Sequence, residues 1–124
     1  MKVCIYARVG NNDQVALDAQ VEMLKDYASA KGYAVTAVVS VLGTSGRQNR
    51  QSLKSIVEMA DEGIFDAVLA VKPSRFSRDT VTYMDFAEKL KERGKTICYA
   101  LPDYEAADSF AVFDLIHSLE QLAT

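Results

Sequence analysis

The apolar residues of the chain fall into short β-like runs separated by longer helical stripes. Residues 2–8 alternate and are rich in β-formers, which predicts a first strand. Asn11, Asn12 and Asp13 then offer side-chain caps for a helix over 14–31, with Leu17, Val21, Leu24 and Ala28 on one face and Gly32 closing it. A β-branched apolar run predicts a second strand at 34–40, and the polar, glycine-bearing stretch 43–49 predicts a loop. From Arg50 or Gln51, the spacing of Leu53, Ile56, Val57 and Ala60 predicts a second helix ending near Gly63. Residues 66–72 are almost continuously apolar, as befits a central parallel strand covered on both faces, and Pro73 ends its ladder. Asp79 or Thr80 caps a third helix reaching about Arg93, with Tyr83, Phe86, Ala87 and Leu90 on one face. Residues 96–101 predict a fourth strand and 102–108 a loop. Ser109 caps a last helix through 121, striped by Phe110, Phe113, Ile116 and Leu119.

This alternation predicts an α/β fold: a mostly parallel sheet of four to five strands with helices on both faces, forming one domain over residues 1–124. In such folds ligands gather beyond the carboxyl ends of the strands. Arg8 with Gly10, the segment 41–50, and Arg75 with Arg78 all follow a predicted strand, so topology alone carries these arginines to one edge. Arginine's planar, permanently charged fork suits phosphate oxygens. The helix amino terminus after Asn12 would add backbone donors. An anion site at this edge is the expectation, beside the plainer reading that Arg75 and Arg78 are solvated loop charges pairing with an acid such as Asp79.

Charge narrows the ligand further. With 14 Lys and Arg against 17 Asp and Glu, the net charge is −3, and the pI of about 5.1 argues against a surface that binds polyanions everywhere. The arginines must therefore act locally. No apolar run approaches the ~18 residues a membrane span requires, and the amino end lacks a signal-peptide layout, so a cytoplasmic, membrane-free setting is expected. Cys4 and Cys98 lie in predicted strands and read as reduced core residues; no cofactor and no metal site is indicated. His117 lies in the last predicted helix, away from the arginine edge, and reads as structural or solvated.

Three motifs carry a family resemblance. Tyr6-Ala7-Arg8-Val9-Gly10, Gly43-Thr44-Ser45-Gly46 followed by Arg50, and Ser74-Arg75-Phe76-Ser77-Arg78-Asp79 resemble, in order and near spacing, the catalytic domain of the serine site-specific recombinases of the resolvase/invertase family. Gln14 and Gln20 fall where that family's first helix carries glutamines. The resemblance runs from Lys2 to roughly the end of the chain and implies a resolvase-like three-layer fold with DNA as partner. It also implies that Arg8, Arg50, Arg75 and Arg78, with Ser45, hold a backbone phosphate. The family uses a long helix at this end for dimerisation, so the resemblance implies a homodimer or higher assembly through the last predicted helix, which is shorter here than the family's. In the family, a serine attacks the phosphate, forms a 5′-phosphoserine link and frees a 3′-hydroxyl, with no metal or high-energy cofactor.

This chain departs from the pattern at Gly10, the nucleophile position, at Val41, where the family has an aspartate, and at Ser74, where it often has another. Glycine carries no hydroxyl, so the chain is expected not to cleave DNA. Gly10 reads instead as a turn glycine admitting positive φ. The hydroxyls of Ser45, Ser77 and Tyr6 would have to be re-aimed, and an error of ~1 Å can cost ~100-fold in rate. Sequence recognition in the family usually sits in a separate basic domain, and the chain is expected to stop before one. Two functions then compete: a recombinase catalytic domain silenced at Gly10, and a non-cutting module that pairs with an active relative or binds DNA backbone. A phosphate-accepting receiver domain of similar architecture would need acids after the first strand and an aspartate ending the third, where this chain has Arg8 and Lys72.

Overall fold

The computed structural model describes residues 1–43, 46–72, 75, 76 and 79–101. Seven elements follow one another: β1 (Lys2–Val9), α1 (Gln14–Ala30), β2 (Ala34–Leu42), α2 (Gly46–Asp61), β3 (Ala67–Ala70), α3 (Thr80–Glu92) and β4 (Thr96–Tyr99). The strands form one parallel sheet in the order β2-β1-β3-β4. The expected loop at 102–108 and the last helix lie outside the described residues.

Strand alternation sorts the core into two layers. Val3, Ile5, Ala7 and Val9 of β1 pack with Leu17, Leu24 and Ala28 of α1 on one face. Cys4 and Tyr6 pack on the other face with Leu53, Ile56 and Ala60 of α2 and with Tyr83, Phe86, Ala87 and Leu90 of α3. The stripes legible in the sequence are therefore the buried ones, because a helix covering a sheet must turn every third or fourth residue inward. Asp13 caps α1 by accepting the Ala16 N–H at 3.0 Å. Asp79 caps α3 by accepting the Val81 N–H at 3.1 Å and the Thr82 hydroxyl at 2.7 Å.

Two expectations need correction. The second helix does not wait for Arg50 or Gln51 but begins at Gly46, which turns part of the expected loop 43–49 into its first turn. Gly46, Arg47, Gln48 and Asn49 contain no strongly apolar residue, so periodicity cannot detect them. The inward residue of this turn is Asn49, held by hydrogen bonds rather than by hydrophobic contact. The second correction concerns Gly10. Positive φ among the described residues occurs at Gly32, Gly43, Gly63 and Gly94, and Gly10 is not one of these. Its backbone does not require glycine.

The strand order places a reversal at the centre of the sheet. The chain steps from β1 outward to β2, then crosses back to β3 on the other side of β1. Crevices at the carboxyl ends of such a pair are where ligands bind in open α/β sheets. β1 pairs with β3 only from Val3 to Ile5, so its carboxyl end, with Arg8, runs on beyond that ladder.

Candidate functional site

Arg8 continues the row of Cys4 and Tyr6, and stands partly buried at the end of β1. Its backbone lies where β3 has ceased to pair, and a side chain replaces the missing strand. The Arg8 N–H donates to Gln20 Oε1 at 3.0 Å, and Gln20 Nε2 donates back to the Arg8 carbonyl at 3.2 Å. A carboxamide offers one donor and one acceptor side by side, as a strand edge does, so Gln20 satisfies both backbone groups. Gln14 does not join it; its amide donates to Asp18 at 2.8 Å on the exposed side of α1.

The Arg8 guanidinium reaches across the reversal. Its Nε donates to the Arg75 carbonyl at 2.6 Å, while the Arg75 N–H closes a tight turn on the Lys72 carbonyl at 3.1 Å. Two arginines are thus brought to one point from opposite sides of the switch. Arg75 Nε is buried and has no hydrogen-bond partner among the described residues. A buried donor without an acceptor costs on the order of 1–3 kcal/mol, and such orphans are rare in folded proteins. The site therefore carries an unmet demand for an acceptor. Asp79 does not have to supply it, since its carboxylate is engaged in capping α3, and the Thr82 hydroxyl and Val81 N–H hold its pKa below the ordinary carboxylate value.

Behind the arginines lies a polar contact that the sequence pattern did not single out. Asn49, the buried polar residue of the described chain, accepts the Tyr6 hydroxyl on Oδ1 and donates from Nδ2 to the Phe76 carbonyl at 2.6 Å. The Phe76 ring stacks on Tyr6, with centroids 4.9 Å apart and planes 15° from parallel. Phe76 also meets the rings of Phe86 at 5.1 Å, Tyr83 at 5.9 Å and Tyr99 at 6.3 Å. Burial pushes the Tyr6 phenol above its ordinary pKa, the Arg8 charge opposing in part, so Tyr6 remains a hydroxyl donor. The signal that could have found Asn49 is position: it immediately precedes Arg50 in a polar run opening a helix.

The remaining expected residues are placed less tightly. Arg50 is exposed in α2 and lines a groove of about 660 Å³ between α2 and α3, together with Leu53, Val57 and Phe86. Its guanidinium lies beside Gly46, where an added Cβ would stand 3.2 Å from Nη1. Neither Arg50 nor Arg75 pairs with a carboxylate among the described residues. Arg78 and Ser45 lie outside the described residues, as do Ser74 and Ser77. Gly10 is exposed just past β1, where Gly43 N–H donates to the Val9 carbonyl at 3.1 Å. Val41 pairs in register with Arg8 and is buried among Tyr6 and Leu53, an apolar setting that would penalise a carboxylate. The amino end of α1 is partly spent on Asp13, whose carboxylate takes the Ala16 N–H, so its donors are not all open to an outside anion. No cluster of three His, Cys, Asp or Glu suited to a metal occurs among the described residues. Cys4 and Cys98 are buried thiols that form no disulfide.

Comparison with known proteins adds to this geometry. Residues 3–124 match the family described as the resolvase N-terminal domain. The chain belongs to the resolvase N-terminal domain family. A resolvase of Clostridium perfringens strain 13 is 34% identical to this resolvase-family domain over 92 residues, which cover 74% of this chain and 45% of the relative. The chain thus spans about half the length of the curated relatives it matches. The N-terminal catalytic domain of TP901-1 integrase superposes with a TM-score of 0.83 at 21% identity, over 99% of this chain and 96% of that one. The C-terminal catalytic domain of ISC1926 TnpA, an IS607-like serine recombinase, superposes at 0.72 with 27% identity, over 99% and 83%. The α/β fold expected from the sequence is that of these catalytic domains, with a parallel sheet flanked by helices. No described helix is long and apolar enough to cross a membrane.

Proposed function

We propose that this resolvase-family domain binds the phosphate backbone of DNA at the carboxyl ends of β1 and β3, within a site-specific recombination assembly, and does not itself cut the strand. The observation that carries the reading is the buried Arg75 Nε, without a hydrogen-bond partner among the described residues, on the residue whose backbone carbonyl receives the Arg8 Nε. A phosphate oxygen supplies the acceptor this donor lacks and the negative charge that two neighbouring arginines favour. Arg50, Arg78 and Ser45 complete the phosphate site in this reading, by their match to the family motifs. Phosphoryl transfer requires charge neutralisation and an in-line oxygen nucleophile. The arginines serve the first, and Gly10 offers nothing for the second. The domain therefore works through contact: it holds DNA backbone, or pairs with an active relative that supplies the serine. Assembly is assigned to the apolar stripe of 109–121, and no cofactor takes part.

The test is binding of a labelled short DNA duplex followed by fluorescence anisotropy across a salt series. Weak affinity is expected, falling with salt by a log–log slope of ~0.9 per phosphate contact. Arg75→Ala is expected to weaken binding and lower that slope by about one contact. Salt-insensitive binding, no binding, or an Arg75→Ala protein that binds as the parent does would each sink the phosphate reading. A covalent protein–DNA adduct formed by the Gly10 protein would sink the non-cutting one.

A further inference from the structure

We infer that Asn49 is a positioning residue for the arginine edge: its single carboxamide locks α2 to β1 and to the 75–76 turn, and so sets where the arginines present their charge. The inference rests on the phosphate-binding reading above and deepens it.

Asn49 Oδ1 takes the Tyr6 hydroxyl of β1, Asn49 Nδ2 grips the Phe76 carbonyl at 2.6 Å, and the Phe76 ring returns to Tyr6 at 4.9 Å. Three separate segments are therefore joined in a triangle, and none can shift without breaking a contact to both others. Each described arginine of the site stands within two residues of a corner: Arg8 two after Tyr6, Arg50 one after Asn49, Arg75 one before Phe76. Arg8 reinforces the same turn by donating to the carbonyl next to the one Asn49 holds. The orientation of the amide is dictated by its partners. The Phe76 carbonyl can only accept, so Nδ2 must face it, and Oδ1 is left for the phenol hydroxyl.

A purely structural residue here would more simply be apolar. Burying an amide is costly unless both ends are bonded, and replacing a bonded pair by apolar groups of similar shape is often close to neutral. What the amide supplies beyond an apolar filler is a fixed arrangement, since a fully satisfied buried network admits one geometry. Leucine would fill the same space and leave the turn without its grip.

The experiment compares Asn49→Leu, Asn49→Asp and Tyr6→Phe with the parent in two measurements, DNA affinity across the salt series and hydrogen exchange of the Arg8 Nε–H by NMR. Asn49→Leu leaves the Tyr6 hydroxyl and the Phe76 carbonyl without a partner; it is expected to fold with a lowered melting temperature, to lose roughly fivefold or more in affinity of the folded fraction, and to exchange its Arg8 Nε–H faster. Asn49→Asp keeps the acceptor for Tyr6, loses the donor to Phe76 and adds a negative charge beside the arginines; it is expected to weaken binding at least as much. Tyr6→Phe removes only the far hydroxyl, is the variant safest for folding, and is expected to move both readouts in the same direction but less. A folded Asn49→Leu protein with parental affinity, salt slope and Arg8 exchange would overturn the proposal. If the parent itself does not bind DNA, the phosphate reading fails separately and the exchange measurement alone decides: faster Arg8 exchange in Asn49→Leu and Tyr6→Phe supports positioning, and unchanged exchange overturns it.

Discussion

Against α1 the sheet turns Val3, Ile5, Ala7, Val9, Ala67 and Leu69, whereas against α2 and α3 it turns Cys4, Tyr6, Val68, Ala70 and Tyr99. The first layer is mainly aliphatic, with Cys98 inside it and Tyr27 and Tyr33 partly buried at its margin, so most of its contacts are non-directional. The second stacks Phe76 among four other rings and buries hydroxyls and an amide that must each be satisfied. Arg8 lies on this second side by strand alternation, and the 75–76 turn closes over it. One face of the sheet thus supplies stability that tolerates repacking, and the other supplies stability tied to a particular geometry. A binding edge is best built on the second.

The largest expected contrast is between Phe76→Ala and Leu24→Ala. Both side chains are fully buried, and truncation should cost about 3–5 kcal/mol for the phenylalanine and about 2–5 kcal/mol for the leucine. Urea unfolding reads that loss. The two should part in DNA binding by the folded fraction, which Phe76→Ala is expected to lose and Leu24→Ala to keep. Equal loss of affinity in both would erase the distinction between the faces.

Alkaline titration sharpens it next. Burial pushes the Cys4 thiol from 9.0 to about 12, and it raises the Tyr6 and Tyr99 phenols too, Tyr83 adding to the shift at Tyr99. The unfolded chain ionises Cys4 near 9.0 while the folded one holds the proton to about 12, so its contribution is fully present below 9.0 and is lost as pH rises through that window. The slope from one such group approaches ~1.4 kcal/mol per pH unit. Cys4→Ala should flatten the alkaline fall in urea midpoint. An unchanged slope in Cys4→Ala would place the titration elsewhere.

Acid titration should act more weakly and at both ends of the sheet. The Lys2 backbone N–H, at 2.9 Å, lowers Asp66, and the Thr82 hydroxyl with the Val81 N–H lowers Asp79. Both folded pKa values lie below the ordinary 3.8, so the stability they bring is present above that pH and is lost as pH falls through the folded values. Asp79→Asn keeps an effective helix cap but removes the titration. Its urea midpoint is expected to depend less on pH below about 4 than the parent's. A parental acid profile in that variant would count against the assignment.

The smallest effect is expected at residue 10. Because Gly10 is exposed and does not hold a positive φ, Gly10→Ser should change stability by less than about 0.5 kcal/mol. A large drop in melting temperature would mean that glycine is there for space.

Much of this frame was legible in the chain. The stripe of Tyr83, Phe86, Ala87 and Leu90 is the buried face of α3, and Leu17, Leu24 and Ala28 are that of α1. Arg8 and Arg75 converge as their places after successive strands implied. Asn49 was not legible, because a buried amide has no periodicity and its partners lie 43 and 27 residues away. The early start of α2 was missed for the same reason.

The sequence by itself determined the order of elements, the parallel sheet and the end of it where charge collects, because local periodicity, caps and strand alternation are properties of neighbours along the chain. Only the tertiary structure decided which arginine meets which backbone carbonyl, that Gln20 completes the edge of β1, and that Tyr6, Asn49 and Phe76 close on one another. Those are directional contacts between distant segments. Hydrogen bonds act over about 3 Å, so they exist only once packing has brought their partners into place.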